Sequence, residues 1–406
     1  MKYLILVGDG MADYPLTELA GRTPLEAAKT PNMDFIANSG MLGRVKNIPE
    51  GMNPASDVAN LSILGYDPKI YYTGRGPLEA ANIGVELKEG DIAFRCNLIT
   101  FLGDTLVDYS AGHISTKEAT GLIEALNAAL GNSRIRFYPG VGYRHLLVIK
   151  GGAAEGLQDL ICFPPHDIIG KDIKRHLPRG KGQELILHLM RDSVDVLQSH
   201  EINQVRVDLK ENPANMIWLW GQGVKPSMPK FSERFGLSGA VISAVDLLKG
   251  LGRVLGMEVI NVPTATGYYD TDYAAKARAT LDFLKRGDFV FLHVEAPDEA
   301  GHNGDLREKI IAIERFDSLV VGTVLDYFKH KNNFRILVLP DHPTPIALRA
   351  HVADAVCFGI YGKDIPTGGF SSYCEKEAEK SSLYFEEGFR LLDYFIQGSK
   401  ESSSSQ

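Results

Sequence analysis

Residues 334–342, FRILVLPDH, form an apolar run, broken only by Arg335, that ends in Pro, Asp and His. A short apolar run closed by turn residues reads as a strand buried on both faces, as in a parallel sheet covered by helices. YLILVGDG (3–10), MIWLWGQG (216–223) and GDFVFLHVEA (287–296) share the pattern. Around them, residues 247–255, 274–284 and 306–328 repeat apolar side chains three and four apart, as helices packed on such a sheet do. The reading is an α/β core with a mostly parallel sheet flanked by helices.

Between about Val85 and Leu209 the pattern changes. Strand-like runs (IAFRCNLITFL, TLVDYS, YRHLLVI) are separated by turn residues and by helical stretches near 117–130 and 183–199. An inserted smaller α+β domain is expected over 85–209, with hinges near 82–86 and 210–215, and a core made of 1–84 and 210–398. The tail 399–406 has no apolar content and is expected to be disordered.

The 406 residues carry 43 basic and 51 acidic side chains, a net charge of −8. Nucleic acid and anionic membranes reward a basic excess, so neither is an expected partner. No run approaches the roughly 18 apolar residues of a membrane span. Cys96, Cys162, Cys357 and Cys374 are far apart and form no CxxC pair, which suggests a reduced, cytoplasmic protein. GK is never followed by Ser or Thr at P-loop spacing, and no GxGxxG joins a strand to a helix.

Metal-ligating residue types recur where strands end. Asp9 closes the first run, Asp298 and His302 follow FVFLHV, Asp341 and His342 follow ILVLP, and His351 comes soon after. Singly, each has a plain reading as a turn residue, a helix cap or a solvated histidine. Together they belong at one edge, because the C-terminal strand ends of a parallel sheet lie side by side. Three carboxylates and three imidazoles exceed the needs of one catalytic zinc, and suit two divalent ions about 3.5–4 Å apart of the kind that clamps a transferring phosphoryl group. Oxygen and nitrogen donors without sulfur leave Mn²⁺, Zn²⁺ and Mg²⁺ open.

Ser56, in GMNPASDVANLSILG, stands directly before a helical stretch at 58–64. There it is either an N-cap or a nucleophile whose charge the helix N-terminus favours. Arg75, Arg95, His113, Arg144, His145 and Lys249 are the side chains expected to grip a phosphate or carboxylate, arginine doing so with a planar fork.

ILVGDGMAD, NPASDVANLSILGYDP, YTGRGPLEAANIG, FRCNLIT with DYSAGHIS, WGQG with GAVISAVDLLKGLG, EAPDEAGHNGD and DHPTPIALRAH run in order over nearly the whole chain. This series resembles the cofactor-independent phosphoglycerate mutases of the short branch typical of archaea and many bacteria. The resemblance implies an alkaline-phosphatase-like core, a second domain closing over a small phosphorylated substrate, and no need for 2,3-bisphosphoglycerate. It also implies two metal ions, usually manganese, with zinc, magnesium or cobalt as alternatives. Asp298, His302 and His351 would hold one ion, and Asp9, Ser56, Asp341 and His342 the other, with Ser56 transiently phosphorylated. DHPTP departs from the DHSTP of archaeal mutases, and with the ending LYFEEGFRLLDYF it is similar to relatives proposed to be homoserine kinases. A homoserine kinase-like phosphotransferase and a metal-dependent phosphatase are therefore the competing readings.

Overall fold

A computed structural model describes residues 1–398; the expected disordered tail at 399–406 lies outside the described residues. The strands are β1 (Lys2–Gly8), β2 (Met41–Val45), β3 (Ile92–Leu102), β4 (Thr105–Asp108), β5 (Ile135–Val141), β6 (Arg144–Ile149), β7 (Met216–Val224), β8 (Gly239–Ile242), β9 (Glu258–Val259), β10 (Phe289–Val294), β11 (Phe334–Leu339), β12 (Val356–Gly362) and β13 (Tyr384–Phe385). They form two sheets in two compact units, Met1–Tyr72 with Met228 onward, and Thr73–Ser227.

The first unit holds the eight-stranded sheet, ordered β13-β2-β12-β11-β1-β10-β8-β9. From β11 to β9 the neighbours are parallel, whereas β12 runs antiparallel to both β11 and β2. Every residue of β10 and β11 is buried, which is why both read as unbroken apolar runs. The one charge in β11, Arg335, is spent inside the protein. Its guanidinium donates to the carbonyls of Phe395, Ile396 and Lys363, two of them at the end of the helix Arg390–Gln397. Register fixes the functional edge: Val7 of β1 stands beside His293 of β10 and Leu339 of β11, so all three strands end together.

The second unit carries an antiparallel sheet, β4-β3-β6-β5, with β7 on the other side of β3. The helices Thr116–Leu130 and Gln183–Gln198 bury Leu122, Leu126, Ile186 and Met190 with the apolar side chains of this sheet. On its opposite face the helix Arg75–Asn82 packs Ala80 with Ala93, Leu146 and Val148.

The structure corrects two expectations. MIWLWGQG is not a strand of the parallel sheet; as β7 it pairs antiparallel with β3 from Met216↔Ile99 to Val224↔Ile92. A strand buried on both faces looks alike in either kind of sheet, so its apolar run says nothing of its partner. The insert accordingly spans 73–227 rather than 85–209, because the helix Arg75–Asn82 and β7 belong to its core, and Thr73 Oγ1 ties the two ends together through the Val224 carbonyl at 2.7 Å.

An isolated fragment 73–227 is expected to unfold cooperatively in urea. A fragment 85–209, lacking the strand beside β3, is expected to show no such transition. Circular dichroism distinguishes the two, and a cooperative 85–209 fragment would contradict an insert bounded at 73 and 227.

Candidate active site

Asp9 follows β1, Asp298 lies in the helix Ala296–Asn303 just after β10, and Asp341 follows β11, so the sheet brings three buried carboxylates to one edge. Their crowding is electrostatically unfavourable. Burial first, and then the charges of Asp341 and Asp298, hold the Asp9 carboxyl well above its usual range. Backbone geometry tightens the cluster, since Gly10 sits at φ +59° and a Cβ there would lie 2.5 Å from both Asp298 Oδ1 and Thr344 Oγ1. Only glycine fits.

Around Asp298, nitrogens converge. Its oxygens lie 3.3 Å from His302 Nε2 and 3.3 Å from His351 Nε2, and these two nitrogens are 2.8 Å apart. Burial would lower the pKa of His302, but the bond to Asp298 raises it to about 9. Pro343 shapes the chain that returns His351, its carbonyl accepting the Val352 amide at 3.1 Å. Thr344 Oγ1 donates to Asp298 Oδ1, and Lys309, fully buried, ties the Thr344 carbonyl at 2.8 Å to Asp13 Oδ2 at 2.7 Å.

The second group forms around Asp9 and Asp341. His342 Nε2 is 3.5 Å from Asp9 Oδ1, 3.5 Å from Asp341 Oδ2 and 3.1 Å from Ser56 Oγ. Burial pushes His342 down to about 4, which keeps its ring neutral and able to offer a lone pair. His342 also lies close to Asp298 and His351, so it stands where the two groups meet. Asp341 accepts from the amides of Gly10 and His342 and from Asn60 Nδ2, while Asn47 holds its carbonyl.

Ser56 is the first residue of the helix Ser56–Ile63, and Ala55 is its N-cap, with no side-chain capping bond. The N-cap reading of Ser56 therefore falls away. Its hydroxyl faces His342 instead, and Asn60 Nδ2 locks the Ser56 carbonyl to Asp341 Oδ2, each at 2.8 Å.

Mixed carboxylate and imidazole donors converging in two groups fit two divalent cations. A more specific sign of fit is Asp9 Oδ1, which is buried without a hydrogen-bond partner beside His342. A cation bound there would stabilise the ionised carboxylate that burial and its neighbours disfavour.

Sequence reasoning overlooked His293, the one titratable side chain in the buried strand FVFLHV. It lies 3.2 Å from Asp9 Oδ2 and 3.9 Å from Asp341 Oδ2, with its other nitrogen 3.3 Å from Glu295. Burial works against its charge, but Asp9, Asp341 and Glu295 hold its pKa well above the usual range. A lone histidine inside an otherwise apolar strand, three residues before the end of GDFVFLHVEA, was the signal that could have found it. Asn60 and Thr344 carried none, as polar residues at helix starts and turns are commonplace.

The residues expected to grip substrate divide between the units. Arg75 and Arg95 both stack on Trp220 in the second unit, at 5.6 and 4.6 Å, and Arg95 is paired with Glu79 at 3.0 Å. Burial lowers the Arg95 pKa; Glu79 opposes this, and Arg75 and Arg144 add to it, so three guanidinium groups share one region. Arg144 is exposed over the Tyr143 ring, and His113 is exposed at φ +51°. Lys249, in the first unit, pairs with Asp246 at 3.5 Å. His145 is buried, with Nδ1 accepting the Gly140 amide at 3.0 Å and Nε2 without a hydrogen-bond partner.

The fold is mixed α/β, and its two Asp/His groups offer the donors of a divalent-metal site. The family model for 2,3-bisphosphoglycerate-independent phosphoglycerate mutase matches residues 37–203. A curated relative from Methanothermobacter thermautotrophicus, named 2,3-bisphosphoglycerate-independent phosphoglycerate mutase 2, is 54% identical over 98% of this chain and 97% of its own. Among solved structures, a Pyrococcus horikoshii protein is 31% identical with a TM-score of 0.83, over 98% of this chain and 96% of its own. The cofactor-independent phosphoglycerate mutase of Thermoplasma acidophilum is 26% identical with a TM-score of 0.65, over 98% and 99%. The chain belongs to the 2,3-bisphosphoglycerate-independent phosphoglycerate mutase family. No helix among the described residues is long and apolar enough to cross a membrane, and the four cysteines are free.

Burial of His145 lowers its pKa to about 3. An unfolded chain takes up a proton at this side chain near its ordinary pKa of about 6.5, whereas the folded chain does so only near 3, so acidification through that window favours unfolding. The melting temperature is expected to fall less between pH 7 and pH 4.5 in His145→Gln than in the wild type. Equal slopes would contradict this.

Proposed function

We propose that the protein interconverts 3-phosphoglycerate and 2-phosphoglycerate through a phosphorylated Ser56, without 2,3-bisphosphoglycerate and without ATP. The observation that carries this reading is the placement of Ser56 Oγ, free of any capping bond, 3.1 Å from His342 where the two Asp/His groups meet. The names of the full-length relatives favour phosphoglycerate over homoserine.

Asp298, His302 and His351 would hold one divalent ion, and Asp9, Ser56, Asp341 and His342 the other, with manganese the first expectation. Bound there, the ions supply Lewis-acid stabilisation of phosphoryl charge and lower the pKa of the serine hydroxyl. Ser56 Oγ attacks phosphorus as the bond to the glycerate oxygen breaks, and the phosphoryl group moves to the serine. The N-terminus of the helix Ser56–Ile63 favours the charge that develops there. Glycerate then turns, and its other hydroxyl attacks phosphoserine, which restores Ser56 and yields the isomer.

Glycerate must be retained and water kept out between these steps, or the outcome is hydrolysis. The second unit is assigned this task. Arg75, Arg95 and Arg144 lie within it, whereas all seven proposed metal ligands lie in the first unit. Arginine suits both ends of the substrate, since its fork binds carboxylate and phosphate alike. A cytoplasmic location is part of the same proposal.

Purified protein reloaded with Mn²⁺ is expected to convert 3-phosphoglycerate to 2-phosphoglycerate. Chelation should abolish the conversion, and Ser56→Ala should lower kcat by about 10⁴ or more, as for other covalent nucleophiles, while both ions remain bound. Release of inorganic phosphate alone, or phosphorylation of homoserine with ATP in place of isomerisation, would overturn the assignment.

A further inference from the structure

The strongest unassigned feature is a line of buried charged side chains behind Asp9. Glu295 Oε2 accepts from Lys276 Nζ at 2.6 Å, while Oε1 accepts from Ser243 Oγ and the Ala244 amide, each at 2.9 Å. Lys276 also donates to the His293 carbonyl at 2.9 Å, and Lys276 and His293 are both wholly buried. The carboxylate of Glu295 is thus immobilised, and its Oε1 faces His293 Nδ1 at 3.3 Å. The opposite nitrogen of the ring, Nε2, faces Asp9 Oδ2 at 3.2 Å.

We propose that His293, held from behind by Glu295 and Lys276, is a positioning residue that fixes the Asp9 carboxylate for cation binding. The inference rests on the two-ion reading of the site and deepens it. Asp9 divides its work between its oxygens. Oδ2 meets His293, whereas Oδ1 lies beside His342 with no hydrogen-bond partner and is the oxygen left for an ion.

Two alternatives make different predictions. If His293 were itself a ligand, Nε2, 3.2 Å from Asp9 Oδ2 and 3.9 Å from Asp341 Oδ2, would be a third donor to the same ion, with Glu295 behind it, and its removal would abolish that ion's binding rather than weaken it. If the chain of charges served stability alone, well-packed apolar residues would do as well, since desolvating a buried ion pair costs about what its attraction returns. Residues behind metal ligands commonly set ligand orientation, and their loss typically weakens metal binding by about 10- to 100-fold.

The test is Mn²⁺ titration calorimetry with stoichiometry on the whole chain, for His293→Phe, His293→Gln, Glu295→Gln and Asp9→Asn. His293→Phe is expected to raise the Kd of one of the two ions by about 10- to 100-fold and leave the other unchanged. His293→Gln, which keeps a donor toward Asp9, should lose less, and Glu295→Gln should shift the same ion in the same direction. At saturating Mn²⁺ the KM for 3-phosphoglycerate should stay at the wild-type value. Wild-type affinity for both ions in folded His293→Phe, or in Glu295→Gln where the former does not fold, overturns the positioning role. Permanent loss of one ion in His293→Phe with normal binding in Glu295→Gln also overturns it, since His293 would then be a ligand. Wild-type binding of both ions by Asp9→Asn would instead defeat the two-ion reading itself.

Discussion

Mutual repulsion among Asp9, Asp298 and Asp341 is the constraint around which the first unit is built. A parallel sheet with β1, β10 and β11 in register delivers these three side chains to one buried edge, where isolated carboxylates are costly. The surrounding structure answers with donors and positive charge. Asn60 and two amides bind Asp341, Thr344 binds Asp298, and His293 faces Asp9. Beneath them, Lys276 and Lys309 are buried completely and each is paired with a carboxylate, Lys276 also holding the His293 carbonyl and Lys309 those of Ala12 and Thr344. What this protein shell leaves unanswered, above all at Asp9 Oδ1, is what divalent cations would complete.

The same arrangement explains how a chain with net charge −8 can handle an anionic substrate. Attraction is local. In the first unit it would come from cations and the end of the helix Ser56–Ile63, and in the second from arginines ordered on Trp220. The proposed division follows from what each task needs. Metal ligands demand the rigidity of packed strand ends, whereas retaining a small acid through a change of orientation suits a separate unit with its own core.

Most of the proposed metal-ligand set was legible because strand ends announce themselves: an apolar run stops, and Asp or His follows. Asp9, Asp298, His302, Asp341, His342 and His351 all obey this rule, and they meet in space. His293 escaped it by standing inside the strand, where only its register opposite Val7 reveals that it reaches Asp9. β7 was assigned to the wrong sheet for a related reason, because pairing depends on distant residues that an apolar run does not encode. Ser56 was ambiguous in principle: capping serine and nucleophilic serine occupy adjacent positions, and a one-residue difference in where the helix starts separates them. His145 is buried whereas Arg144 beside it is exposed, because neighbouring residues of a strand point to opposite faces of the sheet.

The central claim is that Ser56 carries the phosphoryl group between the two positions of glycerate. It is tested most directly by acid-quenching the Mn²⁺-loaded protein during turnover of 3-phosphoglycerate and mapping phosphate by peptide mass spectrometry. The account predicts phosphate on Ser56, appearing within the first turnover and absent from Ser56→Ala. Isomerisation at full rate with Ser56 unmodified, or in a Ser56→Ala protein, would contradict it.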